Sequence, residues 1–92
     1  MAFEWDATKN SVNFAKHGID FRDAMRLFEG PVLESPDDRR DYGEARVIAV
    51  GVVDNRAVAV VYTMRGKRRR IISARRAHSR EREAYREAYR KQ

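Results

Sequence analysis

Arg65-Gly66-Lys67-Arg68-Arg69-Arg70-Ile71-Ile72-Ser73-Ala74-Arg75-Arg76 places seven Lys or Arg among twelve residues and contains no acid. A cationic run of this density is ordinarily solvated and unstructured. Here it encloses Ile71-Ile72-Ser73-Ala74, a short β-prone apolar segment, so it reads as a basic strand within a folded sheet. Positive charge fixed on a rigid strand is what a polyanion binder needs, and the first expectation is therefore an RNA or DNA partner.

Working upstream, Ala45–Val53 and Arg56–Met64 are two further β-rich runs separated by Asp54-Asn55. A two-residue loop of this composition suits the positive-φ hairpin turn. The register pairs Val53 with Arg56 and Arg46 with Thr63. With Gly66-Lys67 as the second turn, Thr63 pairs with Arg70 and Val60 with Ser73. Alternation then yields two faces. One holds Ile48, Val50, Val52, Val61, Ile72 and Ala74, with Arg46, Thr63 and Arg70 in a row at one end. The other holds Val47, Ala49, Gly51, Val58, Val60, Tyr62, Ile71, Ser73 and Arg75. The first has the larger aliphatics and is expected to pack on the helices. A slip of one residue in the second turn would exchange the faces of Arg70 and Arg75.

Further out, Phe3-Glu4-Trp5 reads as a short strand. Asp6 caps a helix over residues 7–17, and Gly18 ends it. Lys16 and His17 sit in its last turn, where cations complement the helix dipole. Asp20 opens a second helix whose Phe21, Ala24, Met25 and Phe28 form a core stripe, stopped by Gly30-Pro31. Val32-Leu33 can begin a strand. Residues 35–44 are too polar for a core and read as a loop or loose hairpin. Asp37, Asp38, Asp41 and Glu44 there match no metal-ligand spacing. A terminal helix spans Ala77–Gln92, with Ser79 as its cap and Ala84, Tyr85, Ala88 and Tyr89 as a narrow stripe. Glu87 and Lys91 are spaced for an ion pair, whereas Arg82, Arg86 and Arg90 repel one another at i, i+4.

The 92 residues suit one domain with a modest core. There is no cysteine, so disulfides and thiolate metal sites are excluded. No apolar run approaches the length of a membrane helix, and the N-terminus shows no signal-peptide pattern, so the expected location is the cytoplasm. The net charge of +6 conceals an asymmetry: residues 1–44 carry −4 and residues 45–92 carry +10. Such a split points to a polyanion-facing half and a second half with another task.

Phe3-x-Trp5-Asp6, Lys9, Asn13, Lys16-His17-Gly18-Ile19, Phe21, Ala24, Phe28, Arg40-x-Tyr42-Gly43-Glu44-x-Arg46, Val61-Tyr62-Thr63-x-Arg65-Gly66, Arg70 to Arg75 and Glu81 to Tyr85, taken in this order, resemble the BrnT family of type II toxins. The run Lys67-Arg68-Arg69, and His78 after Arg75-Arg76, depart from the pattern. The resemblance implies an α+β, RelE-like fold: a small antiparallel sheet with two N-terminal helices, a C-terminal helix, and helices against one face. It implies one toxin domain over residues 1–92, acting as a ribosome-independent endoribonuclease that arrests growth when free. It also implies a cognate DNA-binding antitoxin of ribbon-helix-helix type. Operator DNA would be bound only through the toxin–antitoxin complex, which would repress its own promoter.

Cleavage without a metal or cofactor requires the RNA 2′-hydroxyl to be deprotonated, the extra phosphate charge to be stabilised and the leaving oxygen to be protonated. His17 is the candidate acid or base, with helix capping as its competing role. Arg46, Arg65, Arg70 and Arg75 are candidates for clamping the phosphate, because guanidinium matches its oxygens bidentately. Lys16 is placed to hold the backbone, together with Lys67, Arg68 and Arg69 of the basic run. Trp5 and Tyr62 are candidates for base stacking, although core packing is the commoner role for such residues. Ser73 either orients a phosphate or bonds within the sheet. A Ser-His-Asp hydrolase is excluded by the lack of a nucleophile-elbow glycine pattern. The alternatives are a non-catalytic basic nucleic-acid-binding module and a subunit whose basic face docks an acidic partner.

Overall fold

A hairpin forms the centre of the molecule. Strands β3 (Val47–Val53) and β4 (Arg56–Arg65) pair antiparallel, with Val53 opposite Arg56. Asp54 and Asn55 turn between them with φ of 50° and 65°, the conformation the sequence requires there. A second tight turn at Gly66 leads into β5 (Arg68–Arg76), which also pairs antiparallel with β4. The computed structural model describes residues 2–90. Across them, the sheet has five strands, with Ala2–Glu4 (β1) and Leu33–Pro36 (β2) at its edges, in the order β1-β5-β4-β3-β2. β1 lies parallel to β5, and β2 pairs antiparallel with β3. The α+β architecture is the expected one, with a single parallel pairing at one edge. The loop inferred for residues 35–44 is thus shortened by Ser35 and Pro36, which extend β2. Within the loop, Asp37 is buried rather than solvated, because Arg39 donates to both of its carboxylate oxygens at 2.7 and 2.8 Å.

Helix α1 (Ala7–His17) begins at Asp6, whose carboxylate accepts from the Thr8 and Lys9 amides, and ends at Gly18 in the left-handed conformation (φ 74°). The predicted second helix is one short turn, α2 (Phe21–Ala24), continued by a 3-10 helix over Met25–Glu29. The tighter winding adds Leu27 to the stripe; Phe21, Ala24 and Leu27 are almost completely buried, and Met25 and Phe28 pack beside them. The terminal helix α3 (Ser79–Ala88) is shorter than expected. Its N-cap is His78 rather than Ser79, and the His78 amide donates to Glu81 Oε1 at 2.8 Å. Lys91, the expected ion-pair partner of Glu87, lies outside the described residues; Arg90 pairs with Glu87 instead.

Two expectations about the sheet are corrected. Thr63 does lie opposite Arg70, but Val60 lies opposite Ala74, because a β-bulge inserts Ile72 between the pairs Tyr62–Ile71 and Val61–Ser73. The bulged strand carries one extra residue, so every side chain beyond it changes face. The face with the larger aliphatics packs on α3 only, and the N-terminal helical segments pack on the other. Phe21, Ala24 and Leu27 pack on Ala49, Val53, Val58, Val60, Tyr62, Ile71 and Ala74. The small residues of this face are what admit the large helix side chains: a Cβ on Gly51 would stand 2.9 Å from Leu27 Cγ. The face with Ile48 and Val50 is covered by α3, whose Tyr85 packs against Val50, Ala59 and Ala77. Helices therefore lie on both faces instead of one, since both faces of the central strands are apolar and need cover.

Candidate active site

The bulge decides which cations can act together. Without it, Arg70 and Arg75 would point to opposite faces. With Ile72 inserted, Arg70 (opposite Thr63), Ser73 (opposite Val61) and Arg75 (opposite Ala59) line one face, the same side as Ile48. The sequence-predicted candidates then fall into two groups along β5, about 13 Å apart, since Arg70 and Arg75 stand opposite residues four apart on β4 at a strand rise of ~3.3 Å per residue.

The first group stands where α1 crosses the edge of β5. Asn13, buried in the middle of α1, bonds to β5 as a missing strand would: its amide donates to Ala74 O at 2.9 Å and its carbonyl oxygen accepts from the Ala74 amide at 3.1 Å. A third bond, to Ile19 O, fixes the chain after the helix. This clamp brings Lys9, Lys16 and His17 to a groove shared with Ile72 and Ser73. Burial first, and then the positive charges of Lys16 and Arg75, hold the His17 imidazole below its ordinary value of 6.5. Near neutral pH it is a proton acceptor. Arg75 is itself held in a two-pronged pair with Glu81, at 2.7 and 2.9 Å, and that guanidinium keeps the Glu81 carboxyl below the usual range. Both side chains are mostly covered, so the fork is rigid.

The second group stands at the far end of the same face. Arg70 donates to Glu4 at 2.7 Å. Glu44 takes Arg46 at 3.1 Å and Arg65 at 3.5 Å, bridging the two. The Arg46 guanidinium also lies 3.9 Å from the centre of the Tyr42 ring. Between these cations Thr63 is buried and donates to Ala45 O. Each arginine thus has a carboxylate that holds its orientation.

Other predicted residues lie elsewhere. Tyr62 is 5% exposed, donates to Glu34 at 2.6 Å and meets Phe28 edge-on, so the core role is the one it fills. Trp5 likewise packs edge-on against Phe21. Arg69 lies apart from the other cations: its guanidinium is 4.2 Å from the Phe28 ring, on the face away from Arg70, and its Nε is buried without a hydrogen-bond partner. Cation–π attraction to Phe28, Tyr62 and Phe3 compensates for its desolvation. Lys67 and Arg68 are exposed at the β4–β5 turn. Glu4, Glu44 and Glu81 were not among the sequence candidates. Glu44-x-Arg46 carried a usable signal, because residues two apart on extended chain share a side; Arg75 and Glu81 carried none short of the tertiary fold. Among the described residues, no group of three or more His, Asp and Glu side chains is placed to hold a metal ion, and no helix is long and apolar enough to cross a membrane.

Residues 5–81 match the family model described as the ribonuclease toxin BrnT of type II toxin–antitoxin systems. Among solved structures, the chain is similar to the ribonuclease toxin BrnT of Brucella abortus at 29% identity and a TM-score of 0.64, covering 86% of this chain and 99% of that one. No curated protein sequence matches.

Proposed function

Because the chain belongs to the BrnT family of ribonuclease toxins of type II toxin–antitoxin systems, we propose that it is a metal-independent endoribonuclease whose chemistry takes place at the α1–β5 groove. The observation that carries this reading is the placement of a depressed-pKa histidine, His17, beside Ser73 and a pre-oriented guanidinium, Arg75. His17 takes the proton from the RNA 2′-hydroxyl. The O2′ atom bonds to phosphorus, the P–O5′ bond breaks, and the departing O5′ takes a proton from solvent. Arg75 stabilises the additional negative charge on the phosphate oxygens, oriented beforehand by Glu81 so that no reorganisation is needed at the transition state. Lys16 holds the neighbouring backbone and Ser73 donates to a phosphate oxygen. Arg46, Arg65 and Arg70 stand at the far end of the same face, held by Glu44 and Glu4; they grip the RNA further along, with Lys67 and Arg68 at the turn.

The physiological reading follows the family. Free toxin cleaves RNA in the cytoplasm and arrests growth. A DNA-binding antitoxin, of ribbon-helix-helix type, neutralises it, and the complex represses its own promoter. The −4 and +10 halves of the chain support a division between an RNA-facing surface and the rest.

The test is cleavage of a defined RNA by purified protein in excess chelator, with analysis of the ends. The expected products carry 2′,3′-cyclic phosphate, because the internal hydroxyl is the nucleophile. Products with 3′-hydroxyl ends, or activity lost in chelator and restored by Mg²⁺ or Mn²⁺, would overturn the mechanism. RNA binding without any cleavage would instead favour a non-catalytic nucleic-acid-binding module.

A further inference from the structure

The α3 side of the sheet carries a feature that RNA cleavage does not use. Tyr85, Tyr89 and Ala57 line a largely apolar groove bordered by Arg82, Arg86 and Arg90. Val52, directly opposite Ala57 in the β3–β4 ladder, extends the apolar strip and is 48% exposed. The two rings lie with centroids 4.9 Å apart, and their hydroxyls donate to Pro31 O and Val32 O, so the strip is fixed in place. Arg82 and Arg86, at i, i+4 spacing on α3, repel one another, and Arg90 follows just past the helix end. Arg82 donates to Ala77 O and Arg90 pairs with Glu87, but Arg86 forms no ion pair among the described residues.

The geometry points to this groove as the docking surface for an amphipathic segment of the antitoxin, apolar along one side and acidic along its flanks. The inference rests on the toxin–antitoxin reading above and supplies its surface. Charge complementarity selects the occupant. An apolar stripe would bury Tyr85, Tyr89, Ala57 and Val52, while carboxylates would relieve the arginine row. RNA fits less well. The two tyrosines pack on each other and offer no separated stacking platforms, and Arg70 and Arg75, the candidate phosphate clamps on β5, are paired with Glu4 and Glu81 away from this groove.

The test uses the toxin and the antitoxin encoded beside its gene, purified as the complex, separated and re-titrated. Arg86→Glu leaves every described internal contact intact, and Tyr89→Ala removes an anchor; circular dichroism monitors folding for both. The expected result is antitoxin affinity weakened about 10–100-fold for each variant, with RNA cleavage by free toxin unchanged and Arg86→Lys close to wild type. Unchanged antitoxin affinity in both variants, with wild-type toxin still neutralised, would overturn the surface while leaving the toxin reading intact. Loss of RNA affinity with antitoxin affinity retained would assign the groove to RNA and also overturn it. Failure of the antitoxin to neutralise even wild-type toxin would overturn the underlying reading, and the docking surface with it.

Discussion

Arg75 and His17 are the residues on which the proposed chemistry turns, and each has a distinguishing measurement. Replacing Arg75 by Ala removes a pre-oriented donor to the transition state and should lower the cleavage rate about 10²–10³-fold. His17→Ala should cost about 10²-fold or more if the imidazole transfers a proton, and almost nothing if it only caps α1. The pH profile separates these roles independently. The His17 pKa lies below 6.5, so a base at this position makes activity fall as pH drops through a value below 6.5. That limb should vanish in the His17 variant. Glu81 contributes differently. Its carboxyl is depressed by Arg75, so the stabilisation from the pair is present above the ordinary glutamate value and is lost as pH falls through the lower folded value. The stability difference between wild type and Glu81→Gln, followed by urea denaturation, should therefore shrink as the solution is acidified below 4.5.

At the level of elements, the decisive contact is α1 against the edge of β5. Asn13 satisfies both backbone groups of Ala74 in a buried position. Asn13→Ala would leave these groups unpaired and should cost about 2–4 kcal/mol of stability, read from chemical denaturation. The same variant should lose cleavage through misplacement of His17, even at temperatures where it remains folded. The opposite approach, of the 3-10 helix onto β3, depends on Gly51. An added methyl group there meets Leu27 at 2.9 Å and Pro31 O at 3.3 Å, so Gly51→Ala should destabilise by about 1–3 kcal/mol as the core is forced apart. Thermal denaturation of the variant beside wild type checks this.

Over the whole molecule, charge and topology act together. The C-terminal half carries +10, and Arg70 and Arg75 share one face of the sheet. If Lys16, Arg46, Arg65, Arg70 and Arg75 each neutralise a phosphate, the logarithm of RNA affinity should fall with the logarithm of salt concentration with a slope of about −3.5. Charge removal at Arg70 should reduce that slope by about 0.7 without changing the nature of the cleaved ends. A salt-independent affinity would show that the basic face does not meet the RNA backbone.

The sequence by itself determined much of this protein. Asp6 and Gly18 bounded α1, Asp54-Asn55 set the central hairpin, and the pairing of Thr63 with Arg70 followed from the second turn. These features are local: a cap, a positive-φ turn and a period of two act over a few residues and can be read from residue types. The candidate site was legible as a composition of cations and one histidine, and not as an arrangement. Alternation cannot announce an inserted residue, so the bulge at Ile72 stayed hidden, and with it the common face of Arg70, Ser73 and Arg75. Face assignment by aliphatic size failed because Leu27 needs the space left by Gly51, a complementarity between segments far apart in the chain. The Arg75–Glu81 fork and the Asn13–Ala74 clamp likewise join residues whose meeting depends on how α1 and α3 pack. Tertiary packing alone decided which charges stand close enough to shift a pKa.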